Sequence, residues 1–412
     1  TLTATIASPS NIVKSQTVTI TFGAATKLAI STDAADATNG SQFGTQPVIL
    51  VQDVSGNLVA NSTVSVTASV NNGTLDGTDT VPAVGGVATF TNLRLTATAG
   101  SKTLTYASSP LTSVTQSILA VTGAPTQLRV TVASTLVNNT TFATQPVVTL
   151  LDSTGVVVTD GAYATQTVTL SSPDATIGGT VSMQSTAGVA DFTGKGVKLT
   201  GTVGSKSLTA TETGGLNVTN PVTITYGSAY QLALTRQAAG AVNGVAFTTQ
   251  PQVTVQDISG NTVTNSTASI TVETSGSVLS GNSTPPTLSS GVGTFAGLKL
   301  TGAKGTYSLT YKSTGLADAT QSITVGYGVA TKLVLTTQPL GFVNRANFTT
   351  QPVITVQDAS GNTVENSSLS IDVNIDSGNL TGTTQVAAVN GIATFTGLGK
   401  TGVVGSKTLT FS

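Results

Sequence analysis

The residues best suited to chemistry in this sequence are aspartates in a recurring Asp-x-Ser-Gly-Asn frame, at Asp53, Asp257 and Asp358, with Asp152 in the variant Asp-Ser-Thr-Gly-Val. Beside Asn57, Asn261 and Asn362 they offer the hard oxygen ligands that calcium takes, so these three aspartates are the metal candidates. The same spacing describes an Asx turn, in which the carboxylate bonds nearby backbone and the Gly supplies a positive φ. A calcium site gathers several carboxylates and each frame offers one or two, so the turn is the expected reading and no cofactor is expected.

Other chemistries lack their residues. The chain has no histidine and no cysteine, which removes the commonest general base, thiolate metal sites, disulfides and cysteine nucleophiles. Glu212, Glu273 and Glu365 sit at unrelated positions in the sequence pattern, so no carboxylate pair for glycoside hydrolysis is built into it, and no enzyme is expected. Lys27 and Lys332 are placed for a lysine–asparagine crosslink, but Gln127 and Gln231 stand at the matching places. The net charge is -1 with no basic cluster, which leaves nucleic acid no electrostatic footing. No apolar run approaches the roughly 20 residues that cross a bilayer, so no membrane insertion is expected. Eleven asparagines form Asn-x-Ser/Thr sequons and are the glycosylation candidates: Asn39, Asn61, Asn72, Asn138, Asn139, Asn217, Asn265, Asn282, Asn347, Asn366 and Asn379.

The elements that carry these residues repeat. Thr-Gln-Pro ends at Pro47, Pro146, Pro251 and Pro352, with spacings of 99, 105 and 101 residues. A second marker opens each unit at Gly23, Gly123, Gly227 and Gly328, and a third, of the form Gly-Val-Ala-Thr-Phe, begins at Gly86, Gly188, Gly291 and Gly391. After each Gln-Pro, period-two alternation predicts strands with Ile49, Val51, Val148, Leu150, Val253, Val255, Ile354 and Val356 facing inward. Thr149, Thr254 and Thr355 between them are expected to face solvent. Ser and Thr account for 123 of the 412 residues, the composition of short strands with hydroxyl-bearing outer faces. Each unit reads as about seven strands in about 100 residues, an antiparallel sandwich. The chain is thus predicted to be all-β, four tandem immunoglobulin-like antiparallel β-sandwiches in a semi-rigid rod. Phe90, Phe192, Phe295 and Phe395 are expected in the cores.

The string QPVITVQDASGNTV from Gln351, followed by GIATFTGL and GSKTLTF, resembles the bacterial immunoglobulin-like (invasin-type) tandem repeats of large cell-surface proteins. The resemblance spans essentially the whole chain in four copies. It implies an extracellular, cell-surface array used as stalk, layer or fibre, and it transfers no binding site.

The frame of the chain is offset from its own repeat. Residues 1–22 match the terminal strands of a repeat, residues 23–122, 123–226 and 227–327 are repeats 1 to 3, and residues 328–412 are repeat 4 without its final strand. That offset has two readings, a window on a longer array whose own continuation supplies the missing strand, or strand donation by a neighbouring copy. Both predict head-to-tail continuity, with Val18, Ile20 and Phe22 of a neighbouring copy, or the equivalent strand of the continuation, against a groove beside Phe395 and Leu409. Lateral contacts are expected at Val48, Leu50 and Val353. The expected function is a structural rod forming a cell-surface stalk, sheath or filament. Two alternatives stand beside it: an adhesin whose repeats bind a host or neighbouring cell, and a subunit of a surface layer or pilus-like fibre polymerised by strand donation. A binding unit would carry a cluster its siblings lack, and the nearest approach is Asp160, Tyr163 and Asp174 in repeat 2.

Overall fold

Alternation of β-branched residues with Thr and Ser, punctuated by Gly-bearing turns, leaves the chain one way to bury its apolar faces: sheet against sheet. In the computed structural model, which describes residues 2–6, 12–281 and 286–412, every helix-or-strand element is a β-strand. The fold is all-β, a series of immunoglobulin-like sandwiches. The chain divides into two compact units, residues 1–136 with 140–224 and residues 137–139 with 225–412.

In the first unit, Ala25–Thr32, Val48–Asp53 and Val87–Thr89 form a three-stranded antiparallel sheet. Facing it is a sheet in the order Ala37–Thr38, Val114–Val121, Gly100–Ala107, Ser65–Val70, Thr80–Pro82. Repeat 2 pairs Gln127–Thr131, Val147–Leu151 and Val189–Asp191 in the same way. In the second unit the three-stranded sheets are Gln231–Arg236, Gln252–Gln256, Val292–Thr294 and then Lys332–Thr337, Val353–Gln357, Ile392–Thr394. Four separate apolar cores result, each drawn from one repeat and the few residues leading into it.

Phe90, Phe192, Phe295 and Phe395 lie at the centre of these cores, fully buried, as do the inward residues from Ile49 to Val356. Phe90 meets Tyr106 at a tilt with 5.9 Å between ring centres, Phe295 meets Tyr311 likewise at 5.6 Å, and Phe395 meets Phe411 edge-on at 5.5 Å. Thr149, Thr254 and Thr355 depart from expectation and are buried. Each sits on the central strand of its three-stranded sheet, where side chains of the flanking strands close over it. Thr254 Oγ1 meets Thr235 Oγ1 at 3.1 Å, and Thr355 meets Thr336 at 3.2 Å. Val48, Leu50 and Val353, expected on an exposed face, are half-buried for the same reason.

The third marker is a two-residue hairpin turn. Gly85-Gly86, Ala187-Gly188, Ser290-Gly291 and Asn390-Gly391 all have positive φ at both positions, the primed geometry that matches strand twist. Its second residue must be Gly. A Cβ there would stand 2.3 to 2.5 Å from the carbonyl oxygen of Val59, Val158, Val263 or Val364.

In the fourth repeat, Leu409–Phe411 pairs with Ser370–Ile375 only. Its counterparts Gly100–Ala107 and Gly305–Lys312 each have a second partner strand, Val114–Val121 and Ala319–Val325. Leu409 and Phe411 are consequently half-buried where Leu104, Tyr106, Leu309 and Tyr311 are fully buried. The core around Phe395 is closed, so the open groove lies beside Leu409 and Phe411 and not beside Phe395 as the sequence suggested. At the other end of the chain, Leu2–Ile6 and Ile12–Gln16 form a hairpin with Leu2 opposite Gln16. That is the register of Leu104 opposite Gln116 and of Leu309 opposite Gln321.

Candidate functional site

Two polar devices recur in every repeat, and both are built from side chains buried among strands. The first belongs to Thr-Gln-Pro. Gln351 Nε2 donates to the carbonyls of Phe348 (2.8 Å) and Leu398 (3.0 Å), while its Oε1 accepts from Leu398 N at 2.9 Å. Gln46, Gln145 and Gln250 make the same three bonds, at Phe43 and Leu93, Phe142 and Val197, and Phe247 and Leu298. One amide thereby reinforces the backbone bond from Phe348 N to Leu398 O and its counterparts, which fixes the entry into the inner strand.

The second device is the aspartate turn. Asp358 Oδ1 accepts from Ser360 N and Asn362 N, both at 2.9 Å. Its Oδ2 accepts from Gly328 N (2.8 Å), Asn362 Nδ2 (2.8 Å) and Asn243 Nδ2 (2.7 Å). Asp257 is held in the same way by Ser259 N, Asn261 N, Gly227 N and the Asn261 amide, with Asn138 Nδ2 at 2.8 Å, all within the second unit. Asp53 receives Gly23 N, Ser55 N and the Asn57 backbone and amide. Every donor is an N–H, so the lone pairs a cation would need are already engaged. Among the described residues no three of His, Cys, Asp and Glu come together. The metal candidates Asp53, Asp257 and Asp358 are turn caps.

These contacts set the carboxyl acidity. Bonds from Gly23 N and then from Asn57 hold Asp53 down at about 2. At Asp358 burial alone would raise the carboxyl, but bonds from Asn362, Gly328 and Asn243 outweigh it and the net shift is downward. Asp152 and Asp257 follow the same balance, burial opposed chiefly by Asn39 in one and by Gly227 and Asn261 in the other.

The Asn donors turn these caps into joints between consecutive repeats. In the first unit Asn39, from the loop before Thr-Gln-Pro of repeat 1, takes Ala97 N on its Oδ1 at 2.7 Å. Its Nδ2 donates to Asp152 Oδ2 at 2.6 Å and Thr154 Oγ1 at 2.7 Å in repeat 2. In the second unit Asn243 takes Gly302 N at 2.9 Å and donates to Asp358. Around it, Asn362 Nδ2 donates to Gly302 O at 2.9 Å, Lys304 N donates to Asn362 Oδ1, and Lys304 pairs with Glu365 at 2.9 Å. At three of the four opening glycines a preceding aromatic completes the joint: Phe22, Tyr226 and Tyr327 pack on the core of the repeat that follows. Phe22, expected as an assembly residue, therefore has a place in its own repeat. Thr122 stands where the others carry a ring, and its N and Oγ1 both donate to Asp160 Oδ1.

Sequence reasoning found the turns and missed both devices' partners. The latch asparagines Asn39, Asn138, Asn243 and Asn344 stand at one offset from Thr-Gln-Pro, a signal present in the sequence. Two of them were glycosylation candidates. Asn39 and Asn138 are buried with Nδ2 donated to an aspartate, so the folded chain offers no amide for a sugar there. Asn61, Asn72, Asn139, Asn217, Asn265, Asn347, Asn366 and Asn379 are exposed, and Asn282 lies outside the described residues. Val18 and Ile20 are exposed, Ile20 by 90%. The cluster that set repeat 2 apart divides: Asp160 caps Thr122, Asp174 is exposed and accepts from Ser207 N at 3.1 Å, and Tyr163 is exposed. An open hollow of about 670 Å³ in the second unit, lined by Val242, Tyr327, Val329 and Leu369, carries no charged side chain.

No family model matches the chain, and no curated protein matches it. Among solved structures it is similar to invasin, a bacterial integrin-binding protein, at 17% identity and a TM-score of 0.32, over 88% of this chain and 73% of that one. It is similar to the adhesin FdeC of Escherichia coli at 16% identity and 0.32, over 74% and 100%. The surface-layer protein SbsC follows at 15% and 0.22, over 95% and 53%. Likenesses at this level bear on neither activity nor partner.

Proposed function

We propose that the chain is a structural spacer of an extracellular, cell-surface array, a stalk, sheath or filament whose work is to hold repeats at fixed separations. The observation that supports this reading is the latch between consecutive repeats. Asn39 with Asp152 in the first unit and Asn243 with Asp358 in the second are buried, charge-assisted pairs that no isolated sandwich needs. Their carboxyls spend their lone pairs on joint and turn donors, which leaves them nothing for a ligand. An adhesin reading retains exposed aromatics that single repeats carry alone, Tyr163, Tyr230 and Phe342, each in a different repeat.

Force spectroscopy on the whole chain tests the spacer reading. A load-bearing array gives separate unfolding peaks, each releasing on the order of 30 nm as about 100 residues extend at roughly 3.4 Å apiece from a folded sandwich. Extension at low force without such peaks would sink it.

A further inference from the structure

We infer that repeat 2 is the yielding element of the array, opening under load before repeats 1 and 3 because its last strand has exchanged bonds to its opening segment for a hairpin closed on Glu212. The inference deepens the spacer reading and rests on it.

In repeats 1 and 3 the segments that carry load into and out of the sandwich lie side by side and parallel. Force along the chain enters at the start of the opening segment and leaves at the end of the last strand, so the bonds between them are strained together rather than one after another. At one end of this seam Thr112 N donates to Thr26 O at 3.0 Å, and Thr112 O accepts from Leu28 N at 2.9 Å. Ala317 does the same with Tyr230 O and Leu232 N, at 3.0 and 2.9 Å. At the centre Gln116 Oε1 accepts from Ala34 N at 3.0 Å while its Nε2 donates to Ala34 O. Gln321 clasps Ala238 in the same way, with 2.9 Å from Ala238 N to Oε1. Backbone closes the far end: Ala37–Thr38 pairs with Ala120 and Val121 in repeat 1, and Asn243 N donates to Gly326 O in repeat 3.

Repeat 2 keeps the far end alone, where Thr223 N donates to Ser134 O at 2.8 Å and Asn138 N to Thr225 O at 2.9 Å. Glu212 stands where the others carry Ser108 and Ser313, four residues beyond the buried leucines Leu208, Leu104 and Leu309. Its buried carboxylate accepts from Gly214 N at 2.6 Å and from Leu216 N at 3.0 Å, and its own N donates to Leu216 O at 2.9 Å. Leu216 is the counterpart of Thr112 and Ala317, so the two backbone groups that open the seam elsewhere are engaged inside the hairpin. Asn220 lies opposite Leu208 as Gln116 lies opposite Leu104 and Gln321 opposite Leu309, but its side chain is one methylene shorter. Among the described residues neither Leu216 nor the amide of Asn220 bonds the opening segment. Forced unfolding is governed by the unfolding rate, which rises as fewer bonds must break together. Opening repeat 2 lengthens the array by on the order of 30 nm while its neighbours stay folded.

Single-molecule pulling on the full chain, which has no cysteine of its own, tests this. Ser171→Cys with Thr209→Cys, opposite one another on neighbouring strands of repeat 2, closes a disulfide that shortens the length this repeat releases and so marks its event, and reduction restores the length. The marked event is expected before two events of full length. At constant force Gln116→Ala is expected to speed one of those later events by roughly tenfold, the scale of losing two hydrogen bonds to buried backbone. Glu212→Ser with Asn220→Gln, which gives repeat 2 the residues of repeats 1 and 3, is expected to delay the marked event. A marked event that follows either full-length one, or opening rates indifferent to both variants, overturns the inference and leaves the spacer reading standing. Extension without separate events sinks both.

Discussion

At the scale of the residue, a single carboxylate organises each turn, so its removal strands several buried N–H groups at once. Asp257→Ala is expected to cost its repeat about 3 kcal/mol, because donors of a charge-assisted set lose their acceptor together. Calorimetry reads this as a lowered melting transition, and EDTA leaves the unmodified protein's transition in place. Acid should act through the same groups. Asp53 is held at about 2 in the folded chain against about 3.9 for an ordinary aspartate, so folding favours the deprotonated form. Its contribution is fully present above pH 4 and is lost as pH falls towards 2. Asp152, Asp257 and Asp358 shift in the same direction and add to this, so circular dichroism should show loss of structure between pH 4 and 2. A stability that already declines between pH 7 and 5 would contradict this assignment. The turns were legible in the sequence because an Asx turn is local. The latch was not, because Asn39 and Asp152 are 113 residues apart and only the fold brings them together.

At the scale of the element, the hairpin that opens each third-marker strand carries its own test. Ala187 and Ser290 have φ of 49° and 48°, a region that costs an L-residue roughly 1–2 kcal/mol. Ala187→Gly should therefore stabilise repeat 2 by about 1 kcal/mol, whereas Gly391→Ala should destabilise repeat 4 by about 2 kcal/mol or more. Denaturant melts of the two variants should move in opposite directions. Gln351→Ala, which removes three bonds to buried backbone, is expected to cost about 2 kcal/mol in the same assay. Strand identity and the inward faces were readable from period-two alternation alone. The burial of Thr149, Thr254 and Thr355 was not, since it depends on which strands flank a central one. The abundance of hydroxyls has an outward role too: pairs such as Thr67 with Thr80 and Thr306 with Thr324 meet across strands at 3.0 Å.

At the scale of the whole molecule, the proposed spacer role rests on how one sandwich is fixed to the next. Repetition in the sequence announced the array. The decisive pair, Asn243 with Asp358, needed side-chain geometry. A spacer built on such latches should resist bending within each joined pair, and truncating the amide should release it. Spin labels on Thr306 and Asn379, both introduced as cysteines and both on exposed faces of consecutive repeats, report the joint in the second unit. Pulsed electron resonance on the full chain is predicted to give a narrow distance distribution that broadens severalfold in Asn243→Ala while each repeat keeps its melting transition. A broad distribution in the parent chain, or one unchanged by Asn243→Ala, would contradict the claim that these buried pairs set the joints.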